Sequence, residues 1–350
     1  MTSRRSNRRL LKAASIMILL GLILGACGGA GAPEEGTTLI IYTSKENEEI
    51  AEYLPVAQAA MPDLTLEVLR LSTGDLTARL LAERDNPQAD VIWGVAATSM
   101  MIFQEEGMLE PYAPEGLEII LPQFRDPADP PHWVGVDAYV TAFCVNTAMT
   151  TELGLPIPQT WEDLTDPVYA GQIVMPSPAS SGTGFMFVSS VLQGMGEDEG
   201  FEYLRRLDRN MAMYTKSGSK PCKLAASGEF AIGISFEFVA AGQIAAGAPL
   251  ALVLPAEGSG YEVEANGLML GTDNPNASRR FLDWAISDEA MSMYASYFGV
   301  LAAPGYDVPE GIPADIAERL FPMDFAVSSG NRAAWLETWL DLFSAKVEAD

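Results

Sequence analysis

Apolar residues along this chain fall into short runs that end, repeatedly, in small polar residues followed by a helical period. Leu39-Ile40-Ile41-Tyr42-Thr43 is a β-rich run closing on Ser44, and the segment after it places Ile50, Leu54, Ala57 and Met61 on one helical face. Residues 64–71 alternate apolar and other side chains as a second strand does, and Ser72-Thr73-Gly74-Asp75 leads into a helical stretch carrying Leu76, Leu80 and Leu81. Asp90-Val91-Ile92-Trp93-Gly94 is the third such run. This βαβαβ order predicts an α/β fold with a mainly parallel sheet flanked by helices.

A second α/β block follows Phe143-Cys144-Val145-Asn146. Thr160-Trp161-Glu162-Asp163-Leu164 reads as a capped short helix, Gly171-Gln172-Ile173-Val174-Met175 as a strand, and Ser180-Ser181-Gly182-Thr183-Gly184 as a loop opening a helix over residues 185–192. Ala231-Ile232-Gly233-Ile234-Ser235 is a buried strand before an alanine-rich helix. Residues 261–270 read as extended and cross back to the first block; helices then begin at Asn274-Pro275 and after Ser287-Asp288. The expected organisation is two-lobed. Residues 37–142 with 262–350 form lobe 1, residues 143–261 form lobe 2, and the hinge is crossed at least twice, with the C-terminal residues packing partly on lobe 2.

The first 27 residues follow another pattern. Arg4, Arg5, Arg8, Arg9 and Lys12 form a basic head, residues 16–24 a short apolar run, and Leu24-Gly25-Ala26-Cys27 a box of small residues before a cysteine. That order predicts a lipoprotein signal peptide over residues 1–26. The alternative, a retained anchor helix, needs an apolar run of about 20 residues. The mature chain is expected to begin at a lipidated Cys27, continue through a flexible tether (27–36), and sit at the outer face of the cytoplasmic membrane or in the periplasm. Arg8-Arg9 matches a twin-arginine signal only in part, so the general secretory route is expected.

Charge and cysteine usage narrow the function. Five of the 21 Lys and Arg residues lie in the leader, which carries no acid, so 16 remain against 47 Asp and Glu and the mature net charge is about −31. A nucleic-acid partner is excluded by that field. Export permits Cys144 to pair with Cys222 once Cys27 is consumed by lipid; a buried thiol in the apolar 140–145 strand is the alternative.

Catalytic signatures do not assemble. His132 is the single histidine, and the chain has no phosphate-loop motif, no G-x-G-x-x-G after a strand and no G-x-S-x-G elbow. Acids are abundant, but no pair stands out for hydrolysis. A binder is therefore expected rather than an enzyme, with no cofactor and no metal; an exported enzyme of unknown reaction is the furthest alternative.

Binding chemistry does assemble. Ser44, Ser72-Thr73 and Thr98 stand at three successive strand ends, where α/β sheets collect ligands and helix N-termini favour anions, although each also suits an ordinary helix cap. The richest constellation joins Ser180-Ser181-Gly182-Thr183-Gly184 to Ser217-Gly218-Ser219-Lys220. Hydroxyls and free N–H groups can surround a tetrahedral oxyanion, glycine admits close backbone approach, and Lys220 can add a charge-assisted bond. Glu237, between Phe236 and Phe238 at the end of a strand, is placed either to receive a ligand ammonium or to occupy the first turn of a helix.

These motifs resemble the periplasmic solute-binding proteins of ABC importers, in the branch shared by ferric-iron and 2-aminoethylphosphonate binders. The general signature is Pro158-Gln159-Thr160-Trp161-Glu162-Asp163-Leu164 with Pro167-Val168-Tyr169-Ala170-Gly171-Gln172-Ile173 and Pro176. More selective is Ser217-Gly218-Ser219-Lys220-Pro221-Cys222-Lys223-Leu224-Ala225, with Gly228-Glu229 and Ile232-Gly233-Ile234-Ser235-Phe236-Glu237, which looks like the 2-aminoethylphosphonate group. The resemblance spans essentially the whole mature chain. It implies a type II fold whose two lobes close on a ligand, a monomeric receptor, and a membrane permease with its ATPase as partners.

Iron binders of this kind typically carry adjacent tyrosines just after the strand that here ends at Ser235. This chain has Phe236-Glu237-Phe238 there, so ferric iron is the runner-up, beside other oxyanions or organophosphates. The expected division of labour puts Ser181, Gly182, Thr183, Ser217, Ser219 and Lys220 on phosphonate oxygens, with Ser44 and Thr73 closing from the other lobe. Glu237 takes the amine, assisted by Asp137 or Tyr139.

Overall fold

A computed structural model describes residues 36–349. The leader, Cys27 and the tether up to residue 35 lie outside the described residues. The first block runs β1 (Thr37–Thr43), α1 (Asn47–Ala60), β2 (Leu64–Arg70), α2 (Thr73–Ala82), β3 (Val91–Ala96) and α3 (Ala97–Glu105). A two-residue strand, β4 (Leu109–Glu110), precedes the long β5 (Trp133–Asn146) and α4 (Thr147–Leu153). The second block is β6 (Ile173–Pro176), α5 (Gly182–Met195), α6 (Glu197–Asp208), β7 (Met211–Thr215), α7 (Lys220–Ser227), β8 (Ile232–Phe236), α8 (Glu237–Ala245) and β9 (Leu250–Val253). The chain then returns through β10 (Tyr261–Met269) to α9 (Pro275–Ala285), α10 (Asp288–Tyr294), β11 (Val300–Leu301) and α11 (Phe325–Phe343).

The strand order is β2-β1-β3-β10-β5-β8-β6-β7. β1 lies parallel to β2 and β3, and β6 parallel to β7 and β8, as the repeated strand-helix rhythm requires. β5 and β10 run against their neighbours, and β5 joins the two halves. It pairs with β10 as far as Val140 and with β8 from Thr141 onward. Every one of its residues is buried.

Two apolar cores flank this crossing. One gathers Leu39, Ile41, Trp93, Phe103 and Phe281. The other gathers Phe143, Trp161, Phe185, Phe187 and Tyr203, and the C-terminal α11 drives Trp335, Trp339 and Phe343 into it. Local signals account for the helix starts. Asn146, Ser181, Ser287 and Asp324 each cap the helix that follows through the side chain, and Pro275 occupies the first turn of α9. The expected 185–192 helix begins earlier, at Gly182, because Ser181 accepts from the Gly184 N–H. The expected 160–164 helix is a 3₁₀ turn over Glu162–Thr165.

A buried ion cluster ties the crossing strands to the first block. The Lys45 ammonium donates to Glu264 on β10 and lies 3.4 Å from Glu49 on α1 and 3.5 Å from Asp137 on β5. Burial alone would lower the Lys45 ammonium, but Glu264, Asp137 and Glu49 together raise it well above the usual lysine range. Burial pushes Glu49 and Glu264 up to about 8 and Asp137 up to about 7, with Lys45 opposing in each case.

A second tie is covalent: Cys144 on β5 is bonded to Cys222 on α7, with Cα atoms 5.3 Å apart across 78 residues of sequence. Closing a loop of that length stabilises by about 4 kcal/mol in the chain-entropy account. Denaturant unfolding with and without a reductant should show a loss approaching that size; coincident curves would mean the bridge adds nothing.

The ion cluster generates a pH dependence. Between about pH 4.5 and 8 the folded chain retains protons on Glu49, Asp137 and Glu264 that the unfolded chain has released, so their contribution to stability falls as pH rises through that window and is flat above it. Melting temperatures from pH 5 to 9 should show the decline, and Glu49→Gln, which keeps an acceptor for the Glu46 N–H, should flatten it. An unchanged slope would mean Glu49 is ionised throughout.

Candidate functional site

Strand ends from both blocks open onto one cleft. From the first block, β1 hands over to Ser44 and to Glu46, which caps α1 in a reciprocal box with Glu49. β2 ends on Arg70, and Ser72 and Thr73 open α2. From the second block, Ser181, Gly182 and Thr183 open α5, and Gly218 stands in the turn before α7. The Ser235 hydroxyl donates to the Gly218 carbonyl at 2.7 Å and fixes that turn. Tyr139, Phe236 and Phe238 complete the walls with Glu264.

The two sides meet with little room. The Gly74 N–H donates to the Ser180 carbonyl at 2.9 Å. A Cβ on Gly182 would lie 2.7 Å from the Thr73 hydroxyl and 2.9 Å from the Tyr139 hydroxyl, and one on Gly218 would lie 2.3 Å from the Thr183 hydroxyl. Glycine is needed at both places for the same reason: a Cβ would collide with the hydroxyls packed against it. Farther along the rim, Ser219 donates to Glu46 at 3.0 Å and Lys223 pairs with Glu48 at 2.9 Å. The cleft is shut.

One guanidinium faces this space. Arg70 Nε donates to the Lys45 carbonyl and Nη2 to Glu46 Oε1, both at 3.0 Å, which aims the guanidinium along the cleft floor. Three carboxyl groups share the lining with it: Glu46, Glu49 and Glu264. Besides Arg70, the groups in the lining that favour an anion are neutral donors, the hydroxyls and the first-turn N–H groups of α2 and α5.

Of the residues expected from sequence, Ser44, Thr73, Tyr139, Ser181, Gly182 and Thr183 line the cleft together. Ser217 and Ser219 stand behind it, 3.1 Å apart, with the Ser219 hydroxyl committed to Glu46. Lys220 corrects its expectation. It turns to the surface, paired with Glu348, because α7 starts with its side chain facing the C-terminal residues rather than the cleft.

Glu237 and Asp137 do not line the cleft either. Glu237 is the first residue of α8, fully buried, and its Oε2 accepts from the Val140 N–H at 2.6 Å. Burial pushes it up to about 8, against the opposing Val140 N–H. Asp137 points into the Lys45 cluster. Thr98 donates to the buried Glu262 at 2.6 Å instead of facing a ligand.

The sequence reading passed over Arg70, Glu46, Glu49, Glu264 and the two phenylalanines as lining groups, whereas Ser72 and Gly218 belong to the constellations it singled out. Arg70 had a legible signal, a cation ending an alternating strand directly before a serine-threonine helix start. Glu46 had another, a Glu-x-x-Glu box at the head of α1.

Comparison with known proteins agrees with this geometry. The periplasmic binding protein AfuA of Actinobacillus pleuropneumoniae, solved with exogenous fructose-6-phosphate bound, is 32% identical, with 89% of this chain and 99% of that one covered at a TM-score of 0.83. An uncharacterized protein of Haemophilus influenzae is 33% identical over 282 residues, 80% of this chain and 81% of that protein. A probable ABC transporter periplasmic-binding protein of Sinorhizobium fredii, y4fP, is 29% identical over 278 residues, 77% of this chain and 75% of its own length. The model of the bacterial extracellular solute-binding protein family matches residues 86–326. With two lobes shut on a single cleft and that match covering most of its length, the chain belongs to the bacterial extracellular solute-binding proteins, the capture components of ABC importers.

Proposed function

We propose that this receptor captures a small zwitterionic phosphonate, 2-aminoethylphosphonate or a near analogue, and delivers it to a membrane permease and its ATPase. The observation that carries the reading is that one closed cleft gathers both kinds of group: helix-start donors and Arg70 together with the Glu46 and Glu264 carboxyl groups. The phosphonate oxygens take the Thr73, Ser181 and Thr183 hydroxyls, the Gly182 and Gly218 backbone and Arg70, while Ser44, whose hydroxyl donates to the Gly94 carbonyl at 2.8 Å, lines the cleft beside them. The ammonium faces Glu46 and Glu264, with the Phe236 and Phe238 rings beside it. Ser219 supports Glu46 from the second block. A lipid on Cys27 keeps the monomeric receptor beside its importer.

A sugar phosphate is the second reading, favoured by the likeness to AfuA solved with fructose-6-phosphate. Electrostatics separate the two. A dianionic sugar phosphate offers nothing cationic to Glu46, whereas the aminophosphonate supplies an ammonium to it.

A thermal-shift panel decides between them, using 2-aminoethylphosphonate, ethylphosphonate, fructose-6-phosphate, inorganic phosphate and ferric citrate. Ligand at about 100 times its Kd stabilises by about 2.7 kcal/mol. The aminophosphonate should give the largest rise and ethylphosphonate a far smaller one. A larger rise with fructose-6-phosphate would move the assignment to the second reading, one confined to ferric citrate would move it to iron, and none with any phosphorus compound would sink both phosphorus readings.

Two substitutions test the assigned residues by calorimetric titration. Arg70→Ala should weaken binding roughly 10- to 100-fold, as loss of a charge-assisted pair does, with Arg70→Lys in between. Gly182→Val places a side chain against Thr73 and Tyr139 and should weaken every ligand alike by blocking closure. Unchanged affinity in either would remove that residue from the site.

A further inference from the structure

The shut cleft does not end at Glu46. Glu46 and Phe238 each also line a second and larger chamber, of about 230 Å³. Its walls are mostly apolar: Val239, Ala241 and Gly242 come from α8, Tyr297 from the turn after α10, and Ile312 from the loop beyond β11. Phe238 and Tyr297 meet edge to face with centroids 5.7 Å apart, which leaves an aromatic surface at the point where the chambers join. At Gly242 a Cβ would touch nothing within 4 Å, so the face of α8 toward this chamber is open where a side chain would otherwise stand. Lys223 and Glu48, paired at 2.9 Å across the two blocks, line the same chamber.

We infer that the two chambers form one longer binding site, and that the second takes an apolar substituent carried on the amine end of the solute. The inference rests on the aminophosphonate reading and extends it: the ligand class becomes aminophosphonates with an aryl or alkyl group on nitrogen. Continuity fixes the order of parts. The phosphonate lies at the starts of α2 and α5, the ammonium passes Glu46 and Phe238, and the substituent continues along α8. A phenyl group fits, since the chamber offers about 230 Å³ and an apolar cavity of about 150 Å³ already holds benzene.

The test compares 2-aminoethylphosphonate with its N-benzyl derivative by calorimetric titration of the purified protein, unsubstituted and as Gly242→Phe, which fills the open face of α8. Burying a phenyl group should tighten binding of the N-benzyl ligand at least about tenfold over the parent. Gly242→Phe should abolish that gain and leave the parent's affinity within about twofold; Gly242→Leu, a smaller filler, should remove part of it. An N-benzyl ligand that binds no tighter than the parent, or a gain that persists in Gly242→Phe, overturns the inference while the aminophosphonate reading stands. Failure of both ligands to bind the unsubstituted protein overturns that reading and the inference with it.

Discussion

The buried Lys45 ammonium is the constraint around which the molecule is arranged. A charge without solvent must be met by opposite charge at close range, and three carboxyl groups from α1, β5 and β10 converge on it. The aromatic rings of Tyr294 and Phe298 lie 4.7 and 5.3 Å from the same nitrogen. Space for the lysine exists only because Gly94 carries no side chain: with a φ of +61°, a Cβ there would stand 2.6 Å from Lys45 Cε. Lys45 sits between Ser44 and Glu46, and its carbonyl holds Arg70. The loop that lines the cleft through Ser44 and Glu46 is thus anchored to both crossing strands through one side chain.

That arrangement reconciles a strongly acidic protein with an anionic ligand group. The formal net charge of −26 repels an anion at long range, so a cleft that takes an anionic group must supply its own positive potential. Each helix start contributes about half a positive charge, and α2 and α5 point theirs into the cleft alongside Arg70. Together they approximate the charge of one phosphonate dianion. Glu46, Glu49 and Glu264 line the same cleft, and in the proposed reading Glu46 meets the ammonium of the zwitterion.

How much of this could be read from sequence depended on the range of the interaction. The first block was legible element by element, because each apolar run and each helix face is a local pattern. β5 was visible only in its apolar second half, since Gly135, Asp137 and Thr141 interrupt the run although all its residues are buried. The serine-glycine turns at Ser181 and Gly218 were legible for the same local reason. Glu237 and Lys220 were not, because their partners lie far off: the Val140 N–H is 97 residues from Glu237, and Glu348 is 128 residues from Lys220. A side chain's type shows what it can bind; only the folded chain shows that its capacity is already used.

The contacts that hold the cleft shut explain why closure should depend on the solute. Across the opening run one backbone hydrogen bond, Gly74 to Ser180, the Ser219–Glu46 bond, and a largely exposed ion pair, Lys223–Glu48. A net hydrogen bond stabilises by about 1 kcal/mol and an exposed ion pair by less, and ordering the facing side chains costs a similar amount. These contacts leave the shut and open forms close in free energy. A solute gripped from both sides at once, in the proposed reading by Thr73 and Arg70 on one and by the start of α5 on the other, would add several bonds that an open form cannot make. A differential of a few kcal/mol moves such an equilibrium nearly to completion. Glu46 stands where the two effects join, one oxygen accepting from Arg70 and the other from Ser219, so the carboxylate that orients the guanidinium is also the one that receives the second lobe.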